Sequence, residues 1–323
     1  MKHTTLAISL LLPSLVHCGL PAVPSGWSLK WADDFKGTGQ PSRDNWIYDI
    51  GHSYPGGAAN WGTGEIGYHT DSPNNVFVDG NGNLVLKAIK DNNGGWTTAR
   101  IETKIPNFAP PPNGILAVEG RLKLPKVAQP QGYWPAFWML GEHFRGIYTN
   151  WPDCGEIDIM ENVNGVNTEY GTLHCDKSPG GECYETTGRG GNVGGGGVSL
   201  QDGFRVYRME LDVSTSPQAI RWYLDGKQFH TVTQSDLSAR VWNGLVSHGY
   251  FIILNLAMGG GWPGSPRSDT TSGGEFLIDY VAVYTKGGNG SGSLPPSATT
   301  TKTATSTQAA SGRCASLLIR WWT

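Results

Sequence analysis

The sequence predicts an all-β sandwich of two antiparallel sheets. Of its 323 residues, 46 are glycine and 13 are tryptophan, whereas only 16% are charged, a composition that suits strands and turns better than helices. From residue 26 to residue 284, short apolar or alternating runs are separated by Gly, Pro, Asn and Asp, as in β-sandwiches. No stretch of more than ten residues keeps a helical period without Gly or Pro, so we expect no long helix.

Several strands and turns can be assigned individually. Residues 75–88 predict a hairpin with its turn at 79–82. Residues 220–229 predict a second hairpin, with Asp225-Gly226 as the dipeptide that two-residue turns favour. Residues 207–213 alternate between apolar and polar, as expected of a strand with one solvated face.

The most unusual strand is the acidic stretch at 155–161, Gly-Glu-Ile-Asp-Ile-Met-Glu. Because side chains alternate along a strand, Glu156 and Asp158 share one face, and strict alternation would turn Glu161 into the core. An ionised carboxylate in a core is heavily penalised. One additional residue at Ile159-Met160 returns Glu161 to the acidic face, so the stretch predicts a β-bulge there.

Three carboxylates on one face suit glycoside hydrolysis, in which one carboxylate attacks the sugar and another protonates the leaving oxygen. The two groups lie about 5–5.5 Å apart in retaining enzymes and about 6.5–9.5 Å apart in inverting ones. Repulsion between two carboxylates this close moves their pKa values apart, so that one carboxyl stays ionised while the other keeps its proton. The alternative interpretation is an edge strand whose charges discourage aggregation.

The stretch at 156–161 resembles the signature of glycoside hydrolase family sixteen, in the form with the additional residue found in laminarinase-like and mixed-linkage glucanase members. The resemblance covers about residues 25–285. Further matching motifs, in chain order, are WADDF at 31–35, YWPAFWMLG at 133–141, TLH at 172–174, NLAMGGGWPG at 255–264 and IDYVAVY at 278–284. The family implies a retaining β-glucanase on a β-jelly-roll sandwich with a concave substrate cleft.

The resemblance assigns the catalytic roles. Glu156 is expected to be the nucleophile, Glu161 the acid/base, and Asp158 the residue that holds Glu156 and tunes the pair. The implied activity is endo-hydrolysis of β-1,3-1,4-glucan, β-1,3-glucan or both. Two alternatives stay open: a cell-wall glucan transglycosylase, whose members usually lack the additional residue, and a non-catalytic glucan-binding protein, for which the presence of both glutamates is unfavourable.

Aromatic side chains are the expected walls of the cleft, because a flat ring packs against the C–H face of a sugar. By resemblance, Trp134 lines the cleft near the point of cleavage. Trp262 lies in a Gly-rich loop, which allows close approach of a ligand to the backbone. We expect it to form a wall of the subsite on the nucleophile's side.

Three polar residues complete the predicted substrate site. A single histidine is usually structural, but the family places His174 beside the acid/base, where it would hydrogen-bond Glu161 or the sugar. Asn60 and Arg100 occupy stretches that supply contacts to sugar hydroxyls in relatives. The loops at 107–113 and 188–197 differ most from the family and are expected to reshape the outer subsites.

No cofactor is expected to be required. Asp279 matches a position at which some relatives bind a structural calcium ion; the alternative is an ordinary cap or hydrogen bond, since one carboxylate is little for an ion that takes six or more oxygens. Cys175 and Cys183 bracket a short loop that a disulfide would close, although sequence alone leaves connectivity open. Cys154 is equally consistent with a buried free thiol.

The charge balance indicates the kind of partner, and the N-terminal segment indicates a secreted protein. The balance of 24 basic and 27 acidic residues indicates neither nucleic acid nor an anionic membrane as partner, and we expect a monomer that binds a β-glucan polysaccharide. Residues 1–22 resemble a secretory signal peptide, cleaved after Cys18 or Ala22, with a bacterial lipoprotein site at Cys18 as a weaker option. The catalytic domain is assigned to 23–286.

Residues 287–323 are expected to be an unfolded Gly/Ser/Thr-rich linker and tail. Asn289 begins an N-glycosylation pattern. The segment from Gly312 to Thr323 is too short to fold by itself, and we interpret it as a truncated or misread end.

Overall fold

The structure is a computed structural model that describes residues 19–287. Most of the predicted signal peptide, the linker from residue 288 onward, Asn289 and Cys314 lie outside the described residues, and these assignments stay predictions. Between residues 19 and 287, no helix has the length and apolarity that a membrane crossing needs.

The described chain is almost entirely β-structure. Its strands, in chain order, are β1 (Trp27–Asp33), β2 (Thr38–Gly39), β3 (Trp46–Asp49), β4 (Tyr68–His69), β5 (Val76–Asp79), β6 (Leu84–Lys87), β7 (Ile89–Lys90), β8 (Trp96–Thr98), β9 (Arg100–Thr103), β10 (Gly114–Lys123), β11 (Tyr133–Gly141), β12 (Glu156–Glu161), β13 (Thr168–His174), β14 (Arg189–Gly194), β15 (Arg205–Asp212), β16 (Ala219–Leu224), β17 (Lys227–Thr233), β18 (Tyr250–Met258) and β19 (Glu275–Gly287). Short 3₁₀ segments span Ala59–Gly62, Glu142–Phe144 and Gln234–Asp236. The predicted hairpins form as β5–β6 and β16–β17.

Two large antiparallel sheets stack on each other, which confirms the predicted jelly-roll sandwich. One sheet runs in the order β17-β16-β15-β10-β19-β6-β5-β2, with β1 paired to the second half of β19. The other runs β14-β13-β12-β11-β18-β9-β3 and carries the acidic strand in its interior. A small sheet, β4-β8-β7, flanks them.

The core between the sheets is continuous and consists of the apolar side chains that alternate inward along each strand. Ile157 of β12 and Phe137 of β11 are completely buried in it, as are Met209 and Trp222 from the opposite sheet. Trp222 also donates from its indole Nε1 to the carbonyl oxygen of Asp158 at 2.7 Å. The core therefore contacts the backbone of the acidic strand directly.

One helix, α1 (Ala239–Val246), was not predicted. Ser238 caps its N-terminus by accepting a hydrogen bond from the Val241 backbone N–H, and Val241, Trp242 and Leu245 bury one face. The helix is short, and Gly244 within it interrupts the pattern on which the sequence-based prediction relied.

A second apolar cluster covers part of the outer face of the seven-stranded sheet. Its buried members are Tyr54, Leu140, Phe144, Cys154, Phe251 and Ile253. The partly buried rings of Trp61, Trp138, Tyr148 and Trp151 pack against them. Cys154 is buried and unpaired, in agreement with the free-thiol interpretation.

Candidate active site

The acidic strand β12 presents its carboxylates on the outer face of the seven-stranded sheet. Asp158 pairs with Trp138 of β11, but the next paired residue is Met160 opposite Phe137. On the other side, Asp158 pairs with Thr172 of β13 and Glu161 pairs with Tyr170. Two residues of β12, Ile159 and Met160, therefore lie opposite the single residue 171 of β13. This is the predicted bulge at Ile159-Met160, and it buries both of those side chains while leaving Glu161 partly exposed.

Glu156, the predicted nucleophile, is held by an aromatic donor that the sequence analysis missed. The indole Nε1 of Trp151 donates to Glu156 Oε2 at 3.0 Å, and His174 Nε2 lies 3.9 Å from Oε1. Burial, followed by the charge of Asp158, raises the pKa of Glu156 to about 8, while His174 and Trp151 act in the opposite direction. The anion therefore depends on these two neighbours.

Glu161, the predicted acid/base, is held by Trp134, whose indole Nε1 donates to Oε1 at 2.8 Å. Burial and the neighbouring Asp158 raise the pKa of Glu161 well above its ordinary value. A carboxyl in this state keeps its proton near neutral pH, as a general acid must. The structure thus places Trp134 in contact with a catalytic candidate.

Asp158 lies between the two glutamates and is only 3% exposed. His174 Nε2 lies 3.3 Å from Asp158 Oδ2, and its Nδ1 lies 2.7 Å from Glu185 Oε2. Burial lowers the pKa of His174, but the hydrogen bonds to Asp158 and Glu185 outweigh it and raise that pKa well above the ordinary value. The raised pKa favours the imidazolium form of His174, whose ring lies between the carboxyl groups of Asp158 and Glu185.

This arrangement corrects the prediction for His174, whose expected protein partner was Glu161. On β13, His174 pairs in register with Glu156, whereas Tyr170 pairs with Glu161. Side chains directly opposite on paired strands are the ones that meet. His174 therefore lies at the Glu156 end of the site.

Glu185 was also missed by the sequence analysis. Its other oxygen, Oε1, accepts a hydrogen bond from the Cys175 backbone N–H at 2.9 Å. Glu185 lies two residues after Cys183, which forms a disulfide with Cys175 and so closes the short loop that the two cysteines bracket in the sequence. The sequence signal for Glu185 was the cysteine pair, because a loop closed by a disulfide directly after His174 brings the following residues back toward His174.

Trp262 and Asn60 lie on one wall of the site. The Trp262 ring is 44% exposed and makes edge contacts with Trp134 at 5.7 Å and Tyr170 at 5.0 Å between ring centroids. Both neighbours adjoin Glu161, so the ring stands close to the acid/base candidate; its place in the subsite on the nucleophile's side stays a prediction. The ring stands close to Glu161 because the loop after β18 folds across β11, whose Trp134 faces Glu161.

Asn60 belongs to the loop that supports this wall. Its carbonyl oxygen accepts from the Thr63 backbone N–H at 3.1 Å, and the Thr63 carbonyl accepts from the Gly261 N–H at 2.8 Å, next to Trp262. The Asn60 side chain is exposed. Its contact with sugar hydroxyls stays a prediction.

Arg100 does not offer a free guanidinium to a sugar, which corrects its predicted role. The side chain is 4% exposed, with Nε donating to Asp49 Oδ2 at 3.1 Å and Nη2 donating to the Tyr54 hydroxyl at 2.9 Å. The rings of Trp61 and Trp138 lie 4.5 and 4.8 Å from the guanidinium carbon. Arg100 therefore supports the aromatic cluster on the outer face.

Metal-ligating groups coincide with the catalytic candidates. Within residues 19–287, the one group of three or more possible ligand atoms is Glu156, Asp158 and His174, whose atoms lie within 4.8 Å of one another. Both ring nitrogens of His174 face carboxyl groups, Nε2 towards Asp158 at 3.3 Å and Nδ1 towards Glu185 at 2.7 Å, and we assign no ion to this group. Asp279 forms an ion pair with Arg121 at 2.6 Å; its assignment to calcium stays a prediction.

Two partly exposed glutamates flank a buried aspartate on the outer face of a β-sandwich sheet, each with its own indole donor, as in a glycoside hydrolase. The chain belongs to glycoside hydrolase family sixteen. A family model described as "XgeA-like, catalytic GH16 domain" matches residues 113–190, the part that contains β11, β12 and β13.

Relatives and solved structures agree with this assignment. A glucan endo-1,3-beta-glucosidase from Cryptopygus antarcticus is 30% identical over 80% of this chain and 92% of its own length. A beta-glucanase from Rhodothermus marinus is 29% identical over 88% of this chain and 94% of its own. The crystal structure of endo-1,3-beta-glucanase from Streptomyces sioyaensis is 49% identical, with a TM-score of 0.81, over 83% of this chain and 99% of the other.

Proposed function

We propose that the protein is a secreted, retaining endo-β-glucanase that cleaves internal β-1,3-glucosidic bonds. The observation that carries the proposal is the pair Glu156 and Glu161 on one face, with Asp158 between them and separate indole donors on each. The printed names of relatives support β-1,3-glucan as substrate, in particular the endo-1,3-β-glucanase that is 49% identical.

In the first step, the Glu156 carboxylate attacks the anomeric carbon while the glycosidic C–O bond breaks. Glu161 transfers its proton to the departing oxygen, which leaves as a hydroxyl group. The imidazolium of His174 and the Trp151 indole stabilise Glu156 as an anion before the attack. The products are a glucosyl-enzyme ester on Glu156 and a shortened glucan.

In the second step, Glu161 removes a proton from water, and the resulting oxygen attacks the same carbon. Glu156 departs as a carboxylate, and the anomeric configuration is retained through two inversions. Trp134 keeps Glu161 oriented through both steps, since its N–H bond at 2.8 Å fixes one carboxyl oxygen. Asp158 lies beside both glutamates, and its charge raises the pKa of each.

The second candidate is a broader activity that includes β-1,3-1,4-glucan. Its support is the bulged signature, which occurs in enzymes of both substrate preferences, and the relative named simply beta-glucanase. Transglycosylation is a third outcome, and labelled acceptor oligosaccharides detect it.

The deciding experiment compares laminarin, lichenan, cellulose and chitin in a reducing-end assay with product sizing. We expect laminarin to be cleaved fastest, into a range of short oligosaccharides. Faster cleavage of lichenan establishes the mixed-linkage candidate instead. Failure to cleave any of the four substrates contradicts the proposed function.

Glu156→Gln is the matched inactive variant. It is expected to lose more than about 10³-fold in kcat while it keeps its fold and its affinity for oligosaccharide, because only the nucleophile is neutralised. Circular dichroism and a binding measurement are the controls. Wild-type turnover by this variant, with deamidation excluded by mass spectrometry, contradicts the assignment of the nucleophile.

Secretion and the domain limits are part of the same proposal. A leader at residues 1–22 followed by a catalytic domain at 23–286 requires a mature N-terminus after Cys18 or Ala22. Mass spectrometry of the N-terminal peptide from culture medium tests it, and an uncleaved Met1 in exported protein contradicts it.

A further inference from the structure

A second groove adjoins the catalytic face at the β14 edge of the seven-stranded sheet. It has a volume of about 270 Å³ and is lined by Tyr184, Gly188, Arg189, Gly190, His230, Thr231, Val232 and Asp236. We call it the β14 groove. Strand β14 lies two strand spacings, about 10 Å, from the catalytic strand β12, and none of the residues that line the groove belongs to the catalytic candidates.

The β14 groove borders the active site at Gly188. Gly188 has a φ of +75°, and a Cβ at this position would lie 2.7 Å from His174 Cε1 and 2.4 Å from Thr172 Cγ2. The Gly188 backbone therefore rests directly on the histidine that contacts Asp158. Because Gly188 also lines the groove, this one residue separates the groove from His174.

The exposed ring in the groove is built into its position. Tyr184 is 60% exposed, and the guanidinium carbon of Arg189 lies 4.7 Å from the centre of its ring. Arg189 Nε donates to the Glu182 carbonyl at 2.7 Å, and Nη2 donates to the Tyr184 hydroxyl at 3.4 Å. The contact with the guanidinium orders the aromatic ring before a ligand binds. Binding on the ring therefore costs little conformational entropy.

The loop beneath the ring is anchored at several points. The disulfide between Cys175 and Cys183 ends one residue before Tyr184. The Glu182 carboxylate accepts from the backbone N–H and the hydroxyl of Ser238 at 2.6 and 2.7 Å, next to α1. Asp176 also forms an ion pair with Arg240. The ring thus stands on a rigid scaffold.

The chemistry of the lining fits an uncharged sugar. Arg189 and Asp236 contribute one positive and one negative charge, and burial lowers the pKa of His230, which makes its ring neutral. His230 Nε2 donates to the Arg189 carbonyl at 3.0 Å, and its ring also contacts Trp222. Guanidinium, carboxylate and Thr231 hydroxyl groups around an aromatic face match a ring with hydroxyl edges and an apolar C–H face.

We propose that the β14 groove is a distal subsite that binds a glucosyl unit of the same β-glucan chain, with Tyr184 as its stacking platform. The inference rests on the proposed function, because it takes the occupant to be the polymer that the carboxylates cleave. It makes the enzyme more efficient on long chains than on short ones. Tyr184 acts in binding and does not touch the reacting atoms.

The test compares Tyr184→Ala with Tyr184→Phe on laminarin and on a β-1,3-linked trisaccharide, which is too short to span both sites. For Tyr184→Ala we expect KM on laminarin to rise about 3- to 10-fold, the effect of losing one aromatic contact, with kcat nearly unchanged. Its kcat/KM on the trisaccharide should equal that of the wild type. Tyr184→Phe keeps the ring and should match the wild type on both substrates.

Two results overturn the subsite. Wild-type KM on laminarin in Tyr184→Ala shows that the ring binds no sugar. An equal loss on laminarin and trisaccharide shows that the loop acts only by positioning Glu185 and His174.

Affinity electrophoresis in gels containing laminarin needs no turnover, so it separates failure of the subsite from failure of the proposed hydrolysis. Retardation that is weaker for Tyr184→Ala than for Tyr184→Phe supports the subsite even if no substrate is cleaved. Equal retardation of the two variants contradicts it.

Discussion

Replacing His174 by Gln removes the positive charge beside the nucleophile and keeps a polar side chain of similar reach. His174 Nε2 lies 3.9 Å from Glu156 Oε1 and 3.3 Å from Asp158 Oδ2, and His174 is only 12% exposed. Because the imidazolium lowers the pKa of Glu156, its removal should raise that pKa above its present value of about 8, which burial and Asp158 set. Attack requires the anion, so the acid limb of activity should move to higher pH.

The magnitude follows from the distance. Two unit charges about 4 Å apart interact by about 4 kcal/mol at an effective dielectric constant of 20, which corresponds to about 3 pKa units. This is an upper limit, because Asp158 and Glu185 share the charge of the imidazolium and both groups keep some contact with solvent. We expect a displacement of about 1–2 units.

The assay is the pH profile of kcat/KM on laminarin for the wild type and His174→Gln. His143→Gln is the control, since His143 is an exposed histidine that faces His248 and lies outside the site. An acid limb that coincides with the wild type, or that moves to lower pH, refutes the assignment of His174 as an imidazolium acting on Glu156. The basic limb should move less, because it reports Glu161, whose indole donor is untouched.

Three further substitutions test other contacts. Trp151→Phe removes the N–H donor to Glu156, a bond to a charged group that contributes about 1.5–3 kcal/mol; we expect kcat/KM to fall about tenfold with unchanged thermal stability. Replacing Cys175 and Cys183 by Ser opens a loop with a sequence separation of 8; the free energy of unfolding, measured in denaturant, should fall by about 2–3 kcal/mol. Glu169 is fully buried, and burial raises its pKa well above the ordinary value. The folded state then holds a proton that the unfolded chain releases above about pH 4.5, so stability falls as pH rises; Glu169→Gln should flatten the melting temperature between about pH 5 and 8, and an unchanged slope contradicts this.

The acidic strand shows which structural features can be predicted from residues that are close together in the sequence. Its alternation, together with the cost of burying Glu161, was sufficient to predict the bulge at Ile159-Met160, since both arguments involve neighbours within one strand. The two hairpins were predictable for the same reason. The resemblance placed Trp134 only near the point of cleavage; its hydrogen bond to Glu161 depends on the register of β11 against β12.

The errors arise where a side chain is held by residues distant in sequence. The resemblance assigns Arg100 to sugar contact, but Asp49 and Tyr54, 51 and 46 residues earlier, occupy its donors. His174 was paired with the wrong carboxylate because a strand register decides which end of β12 it faces. Glu185 gives no periodic signal, since its position depends on how a stapled loop folds back.

The active site also depends on the core behind it. A bulge interrupts the regular ladder, and backbone groups near it need other partners; the Asp158 carbonyl finds the indole N–H of Trp222, from the opposite sheet, at 2.7 Å. Trp222 can approach because residue 171 is glycine, where a Cβ would lie 2.5 Å from its ring. The extra residue that turns Glu161 toward the substrate therefore requires a specific tryptophan in the core and a glycine on the adjoining strand. The bulge, Trp222 and Gly171 act as one structural unit that sets the spacing of the two catalytic carboxylates.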